Sequence, residues 1–273
     1  MTALTVSIWA AFTWLLGDVP QSADPDSAGK AGEFTFVRAK YESVGGDGEA
    51  YYYFEGRLWD RWETDFPEAD GHFLTRIAEL TTLQVNPRPL ALSLSDARLL
   101  QYPFLYMSDP GWQSLTEPEV VGLRTYLQRG GFLWVDDFWG DGEWENFELN
   151  MKRVFPDLEW RPIPATHPIL NMVFPLEQCP QIPAKIFWDM GWTQTYDDPN
   201  VHRRPTGGIA GVDHVNFMGL WDDDTGRLMA VATHNTDIGD GWERETEDAE
   251  YFRVFSTKSY ALGINIVTYA MTH

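Results

Sequence analysis

Carboxylates hold most of this chain's chemical potential. Asp136 and Asp137 follow the apolar run Phe132-Leu133-Trp134-Val135 and precede the turn Phe138-Trp139-Gly140-Asp141-Gly142. A second polar segment, His234-Asn235-Thr236-Asp237-Ile238-Gly239-Asp240-Gly241, follows the strand-like run Arg227 to Thr233. Both segments leave apolar strands at their carboxyl ends, where open α/β sheets place ligands. Asp136, Asp137, His234, Asp237 and Asp240 are therefore expected to converge at one rim. Three readings of that rim stand side by side. Aspartates and main-chain carbonyls suit Ca²⁺ or Mg²⁺, and His234 would admit a transition metal. Asp136 or Asp137 as nucleophile or base, with His234 shuttling a proton, would make a hydrolytic site. The third reading is structural, with aspartates capping the following helix and bracing glycine turns.

Other polar candidates carry less. Cys179 sits between Gln178 and Pro180 in an irregular stretch. It lacks the strand-turn-helix setting that exposes a sulfur and lowers its pKa, and it reads as a structural thiol. Asp222-Asp223-Asp224-Thr225-Gly226 lacks the downstream bidentate Glu of a calcium loop and reads as a solvated hairpin turn. Gly45-Gly46-Asp47-Gly48 has no following Lys and is a turn rather than a phosphate loop. His167 and His202 have no metal-ligand spacing, and Asp70 and Arg76 read as an ion pair or a cap.

The elements that would position these residues alternate between strand and helix. Strands are expected at Glu33 to Ala39, Leu90 to Leu94, Tyr102 to Met107 and Phe132 to Val135. Later strands fall at Ile209 to Trp221 and Arg227 to Thr233. A helix follows Phe66-Pro67, with Phe73, Ile77, Leu80 and Leu83 as its apolar stripe. Thr116-Glu117-Pro118-Glu119 starts another, which buries Val120, Leu123 and Leu127 and stops at Gly130-Gly131. Further helices are expected at Glu145 to Val154 and from roughly Glu247 to Ala270. Tyr51 to Trp62 is aromatic and is expected to run over the surface. A proline-rich insertion, with irregular chain or edge strands, is expected at about 158–205. This alternation predicts a three-layer α/β sandwich with a mostly parallel sheet, in a single domain spanning 33–273.

Composition narrows the partners. The chain has 273 residues, 44% of them hydrophobic, enough for a full core. The net charge of −21 disfavours nucleic acid and anionic lipid, and leaves cations, basic proteins or neutral ligands. One cysteine excludes an intrachain disulfide and a Cys-based zinc cluster. The apolar run 3–17 resembles the core of an export signal, although no Lys or Arg precedes it. Residues 1–23 are read as a signal peptide or a retained apolar membrane-anchor helix, and 24–32 as a linker. Both readings place the rest of the chain in an exported compartment, on the periplasmic side and anchored to the inner membrane if the helix is kept. Trp139, Trp144, Trp188, Trp192 and Trp242 fall in loops or near glycine, where exposed indoles would anchor a protein interface or a carbohydrate.

Several spaced motifs carry a resemblance. They are Phe34-Thr35-Phe36-Val37-Arg38, Asp65-Phe66-Pro67-Glu68-Ala69-Asp70, Tyr102-Pro103-Phe104-Leu105-Tyr106-Met107, Gly130-Gly131-Phe132-Leu133, Asp136-Asp137-Phe138 and Ala232 through Glu243. With Leu262-Gly263-Ile264-Asn265-Ile266, they resemble the DUF4159 family. The resemblance implies a flavodoxin-like sandwich of the class I glutamine amidotransferase type. In such enzymes the turn after the equivalent strand holds the nucleophilic Cys, and a late His-x-Glu completes the triad. Here Asp136 and Asp137 fall at that turn, and His234 stands where the late His is expected. The resulting expectation is a non-catalytic accessory subunit, exported and membrane-tethered, that binds other proteins of a membrane complex. The alternative is a metal-dependent hydrolase or ligand-binding enzyme that uses the Asp/His rim.

Overall fold

Continuous apolar runs require burial on both faces, and a central sheet covered by helices provides it. The computed structural model describes residues 32–44, 51–54, 56–190 and 214–273. The strands are β1 (Val37–Lys40), β2 (Tyr51–Phe54), β3 (Arg57–Asp60), β4 (Leu90–Ser93), β5 (Phe104–Ser108), β6 (Phe132–Asp136), β7 (Trp160–Pro162), β8 (Asn216–Trp221) and β9 (Leu228–His234). Seven of them form one sheet in the order β4-β1-β5-β6-β9-β8-β7, and β2-β3 is a separate hairpin. β4, β1, β5, β6 and β9 run parallel. β8 and β7 close the edge antiparallel. The register pairs Ser108 with Asp136 and Asp136 with Thr233, so the carboxyl ends of β5, β6 and β9 lie side by side.

The helices are α1 (Glu68–Leu80), α2 (Glu117–Gln128), α3 (Gly140–Val154), α4 (Lys185–Asp189), α5 (Ile238–Glu243), α6 (Ala249–Tyr251) and α7 (Thr257–Thr272). Successive strand residues point to opposite faces, which splits the core in two. On one side Phe36, Tyr106 and Trp134 meet Phe73 and Ile77 of α1, Trp242 of α5 and Ile264 of α7. On the other, Leu105, Leu133 and Val135 meet Val120 and Leu123 of α2 and Phe147 and Met151 of α3. Gly130, at φ 103, ends α2 in a conformation that a side chain would strain.

The structure departs from the sequence pattern in several places. Tyr51 to Trp62, expected at the surface, exposes Tyr53 and Leu58 and is ordered as the β2-β3 hairpin and the start of a 3-10 turn at Arg61–Glu63. α3 starts at Gly140 rather than Glu145, because Glu143 folds back to accept the Trp139 N–H at 2.6 Å. The expected last helix is three pieces, with a π turn at Phe252–Ser256 between α6 and α7. α5 goes beyond the expected pattern, since its glycines hide its helical period. Leu80 is exposed although its stripe partners Phe73 and Ile77 are buried. The proline-rich stretch supplies edge strand β7, and its Cys179 and Ile182 enter the core. Of the tryptophans expected in loops, Trp242 is fully buried, which removes it from any interface, and the partly buried Trp144 stacks on Phe138. The N-terminal apolar helix, the Gly45 turn, Trp192 and His202 lie outside the described residues. No helix among the described residues is long and apolar enough to cross a membrane.

Candidate metal centre

Each of the three adjacent strands β5, β6 and β9 is followed at its carboxyl end by a left-handed residue. These are Asp109 (φ 52), Asp137 (φ 57) and Asn235 (φ 63). Asp65 (φ 63), just before α1, is the fourth such non-glycine residue among the described residues. The conformation costs an L residue about 1–2 kcal/mol, and Asp and Asn tolerate it best because their short side chains bond locally. Asn235 is held instead by long-range bonds, its Oδ1 accepting the Gly140 N–H at 2.8 Å and its Nδ2 donating to the His214 carbonyl at 2.8 Å.

These turns gather carboxylates. Oxygens of Asp65, Asp137 and Asp237 lie within 4.8 Å of one another, and so do oxygens of Asp65, Asp240 and Glu243. Asp65 belongs to both groups. Its Oδ2 is enclosed and has no hydrogen-bond partner. A Cβ on Gly239 would sit 2.6 Å from that oxygen, so only glycine lets the Asp65 carboxylate lie against α5. Asp237 caps α5, its Oδ1 accepting the Asp240 N–H at 2.8 Å. Asp137 Oδ1 accepts Trp139 Nε1–H at 3.0 Å. The nearby cations bypass the first group: Arg244 pairs with Asp240 (3.2 Å), Glu243 (2.7 Å) and Glu247 (2.9 Å), Arg61 with Asp109 (3.0 Å), and Lys185 with Asp189 (2.5 Å). None of these ion pairs reaches Asp65, Asp137 or Asp237.

Electrostatics follow from that arrangement. Burial first, and neighbouring carboxylates second, push Asp65, Asp137 and Asp237 well above the usual carboxylate range. Burial and the adjacent Asp65 push Glu243 up to about 10. Burial raises Asp109 to about 8 against the pull of Arg61. A bound divalent cation would reverse this preference for the protonated form. Ca²⁺ takes oxygens at about 2.3–2.6 Å, so two donors of one ion stand at most about 5 Å apart, and both groups lie within that limit. All-oxygen donors select a hard ion.

The expected rim residues separate into three places. Asp137, Asp237 and Asp240 come together in the cluster. Asp136 lies beneath it, fully buried, accepting the Tyr106 O–H (2.8 Å), the Thr233 O–H (2.5 Å) and the Gly239 N–H (3.0 Å). These bonds restrain a burial effect that still raises it to about 6. His234 is turned away, packed against Phe138 and Trp144. Its Nε2–H donates to the Gly140 carbonyl at 3.0 Å and its Nδ1 accepts from Asn216 at 2.9 Å, so neither nitrogen is open to a metal. Burial lowers it to about 4. Cys179 is buried beside a separate cavity of about 320 Å³, near His214 and Phe217. Sequence reasoning missed Asp65 and Glu243 as site residues. Both stand inside motifs that carried the family resemblance, and that was their only signal.

The carboxylates open into a cavity of about 760 Å³ walled by Trp59, Trp112, Trp139 and Phe187. A family model described as a domain of unknown function, DUF4159, matches residues 52–271. The chain belongs to this family. No curated protein matches it. All five clustered carboxylates fall inside the DUF4159 match, whereas the apolar run 3–17 precedes it.

Proposed function

We propose that this DUF4159 domain is a divalent-cation-dependent ligand-binding and hydrolytic domain. One observation carries the reading. Three separate segments bring Asp65, Asp137 and Asp237 oxygens within 4.8 Å, with one Asp65 oxygen buried and unbonded. A Ca²⁺ or Mg²⁺ ion there would polarise a ligand oxygen in the adjoining cavity. Asp109, raised to about 8 by burial, is suited to move a proton near neutral pH.

The frame supports this reading. Numbered by chain position, the five parallel strands lie in the order 2-1-3-4-5, which is that of flavodoxin-like sheets. In an amidotransferase-like frame Asp137 occupies the strand-to-helix turn of the nucleophile, so we do not propose thiol chemistry. The same substitution favours a second reading, a non-catalytic accessory subunit that is exported and tethered through 3–17. Cation binding without turnover of any ester, phosphoester or glycoside would favour it.

The test of the first reading is thermal unfolding and calorimetry of the full chain with Mg²⁺, Ca²⁺ and Mn²⁺. A cation should raise the melting temperature, and Asp137→Asn should abolish the rise. A folded wild-type chain that ignores all three ions would refute the proposal.

A further inference from the structure

The second carboxylate group points beyond a single ion. Asp65, Asp240 and Glu243 oxygens also lie within 4.8 Å of one another, but this group already has a counter-ion. Arg244 Nε sits 3.2 Å from Asp240 Oδ1 and 2.7 Å from Glu243 Oε2. The Glu243 contact lacks hydrogen-bond geometry, and Oε2 is buried with no other bond. Arg244 therefore supplies charge to this oxygen without a directed bond. Its side chain is 28% exposed and already donates outward to Glu247 at 2.9 Å. Asp240 is independently held by the Lys185 N–H, and the buried, unbonded Oδ2 of Asp65 lies against Gly239 of α5, the helix that carries Asp240 and Glu243.

We infer that the pocket takes two hard divalent cations bridged by Asp65, and that the second enters by displacing Arg244 toward Glu247. The inference rests on the cation reading above and extends it. Asp137 and Asp237 complete the first ion's protein ligands, and Asp240 and Glu243 complete the second's. Bridged pairs of this kind, about 3.5–4 Å apart, clamp both the attacking and the leaving oxygen in hydrolysis. Arg244 acts as a stand-in that keeps the second position neutralised until an ion arrives.

The test is Mn²⁺ titration of the full-length protein, read by calorimetric stoichiometry and by electron paramagnetic resonance for spin coupling between bound ions. Wild type should bind two ions, the second more weakly and coupled to the first. Glu243→Gln should keep the tight ion and lose the second. Arg244→Gln, a change at a partly exposed side chain, should tighten the second site by roughly tenfold, the scale of outer-shell effects on metal affinity. Asp65→Asn should lose both, with circular dichroism checking that it folds. One uncoupled ion in both wild type and Arg244→Gln would overturn the two-ion inference and leave the single site standing. No bound ion in any folded form would overturn both.

Discussion

Two sets of carboxylates lie close together in the chain and are neutralised in opposite ways. Asp70, on α1, is wholly buried and faces a wholly buried Arg38, which donates through Nε and Nη2. Asp65, five residues earlier, is enclosed with Asp137 and Asp237 and forms no ion pair with a described Lys or Arg. The two are physically joined, because Arg38 Nη1 also donates to the Thr64 carbonyl at 2.7 Å and so anchors the turn that carries Asp65. Asp70 thus has a buried cation of its own, whereas the buried Asp136 is held by neutral donors alone. Among the cavity-lining carboxylates, Asp109, Asp240 and Glu243 have Arg61 or Arg244 beside them, whereas Asp65, Asp137 and Asp237 form no ion pair with a described Lys or Arg.

The largest expected break in this comparison is Arg38→Met. It leaves Asp70 buried without its partner and should cost about 3–5 kcal/mol in urea denaturation, because an unpaired buried charge is expensive. A loss below about 1 kcal/mol would mean that Asp70 is not left as an uncompensated buried charge, and the contrast with the cavity carboxylates would fail.

A pH titration of stability without cations sharpens the contrast. Asp109 at about 8 and Asp136 at about 6 hold protons that the unfolded chain releases, so these groups raise stability as pH falls from about 8 toward 4. His234 works the other way. Its folded value of about 4 lies below the ordinary 6.5, so the unfolded chain takes up the proton first. Its contribution is lost as pH falls from 6.5 to 4, by roughly 3 kcal/mol. Stability of His234→Gln relative to wild type should therefore rise by roughly that amount as pH falls across the window. Equal slopes would show that His234 does not titrate as its burial requires.

The smallest effect is expected inside the cluster. Without cations, Asp137→Asn should stabilise the protein by about 1 kcal/mol, by removing one of several mutually repelling carboxylates. A destabilisation of that size would indicate that the group is a satisfied structural network, and the contrast with Asp70 would fail.

Local pattern made several elements legible. α2 is written in Thr116, Glu119 and the Gly130-Gly131 stop, and β5 and β6 in apolar runs long enough for a strand buried on both faces. Asp137, Asp237 and Asp240 could be placed at strand ends by the same logic. α5 could not, because Gly239 and Gly241 erase its apolar period and serve close packing instead. His234 looked like a rim residue because it ends β9. A one-residue alternation decides which face it joins, and it joins the Phe138 and Trp144 side.

The sequence by itself determined the α/β class, the acidic character and the family, since these follow from periodicity, composition and spaced motifs. It also showed that no cysteine stands in the β6–α3 turn. Only the tertiary structure decided that Asp65 and Glu243 join Asp137, Asp237 and Asp240, that Asp136 sinks beneath them and that His234 leaves. The physical reason is that convergence depends on strand register, on left-handed turns at Asp65 and Asp137 and on the missing side chain of Gly239. Those contacts join residues up to 178 positions apart, from Asp65 to Glu243, and no local pattern encodes such distances.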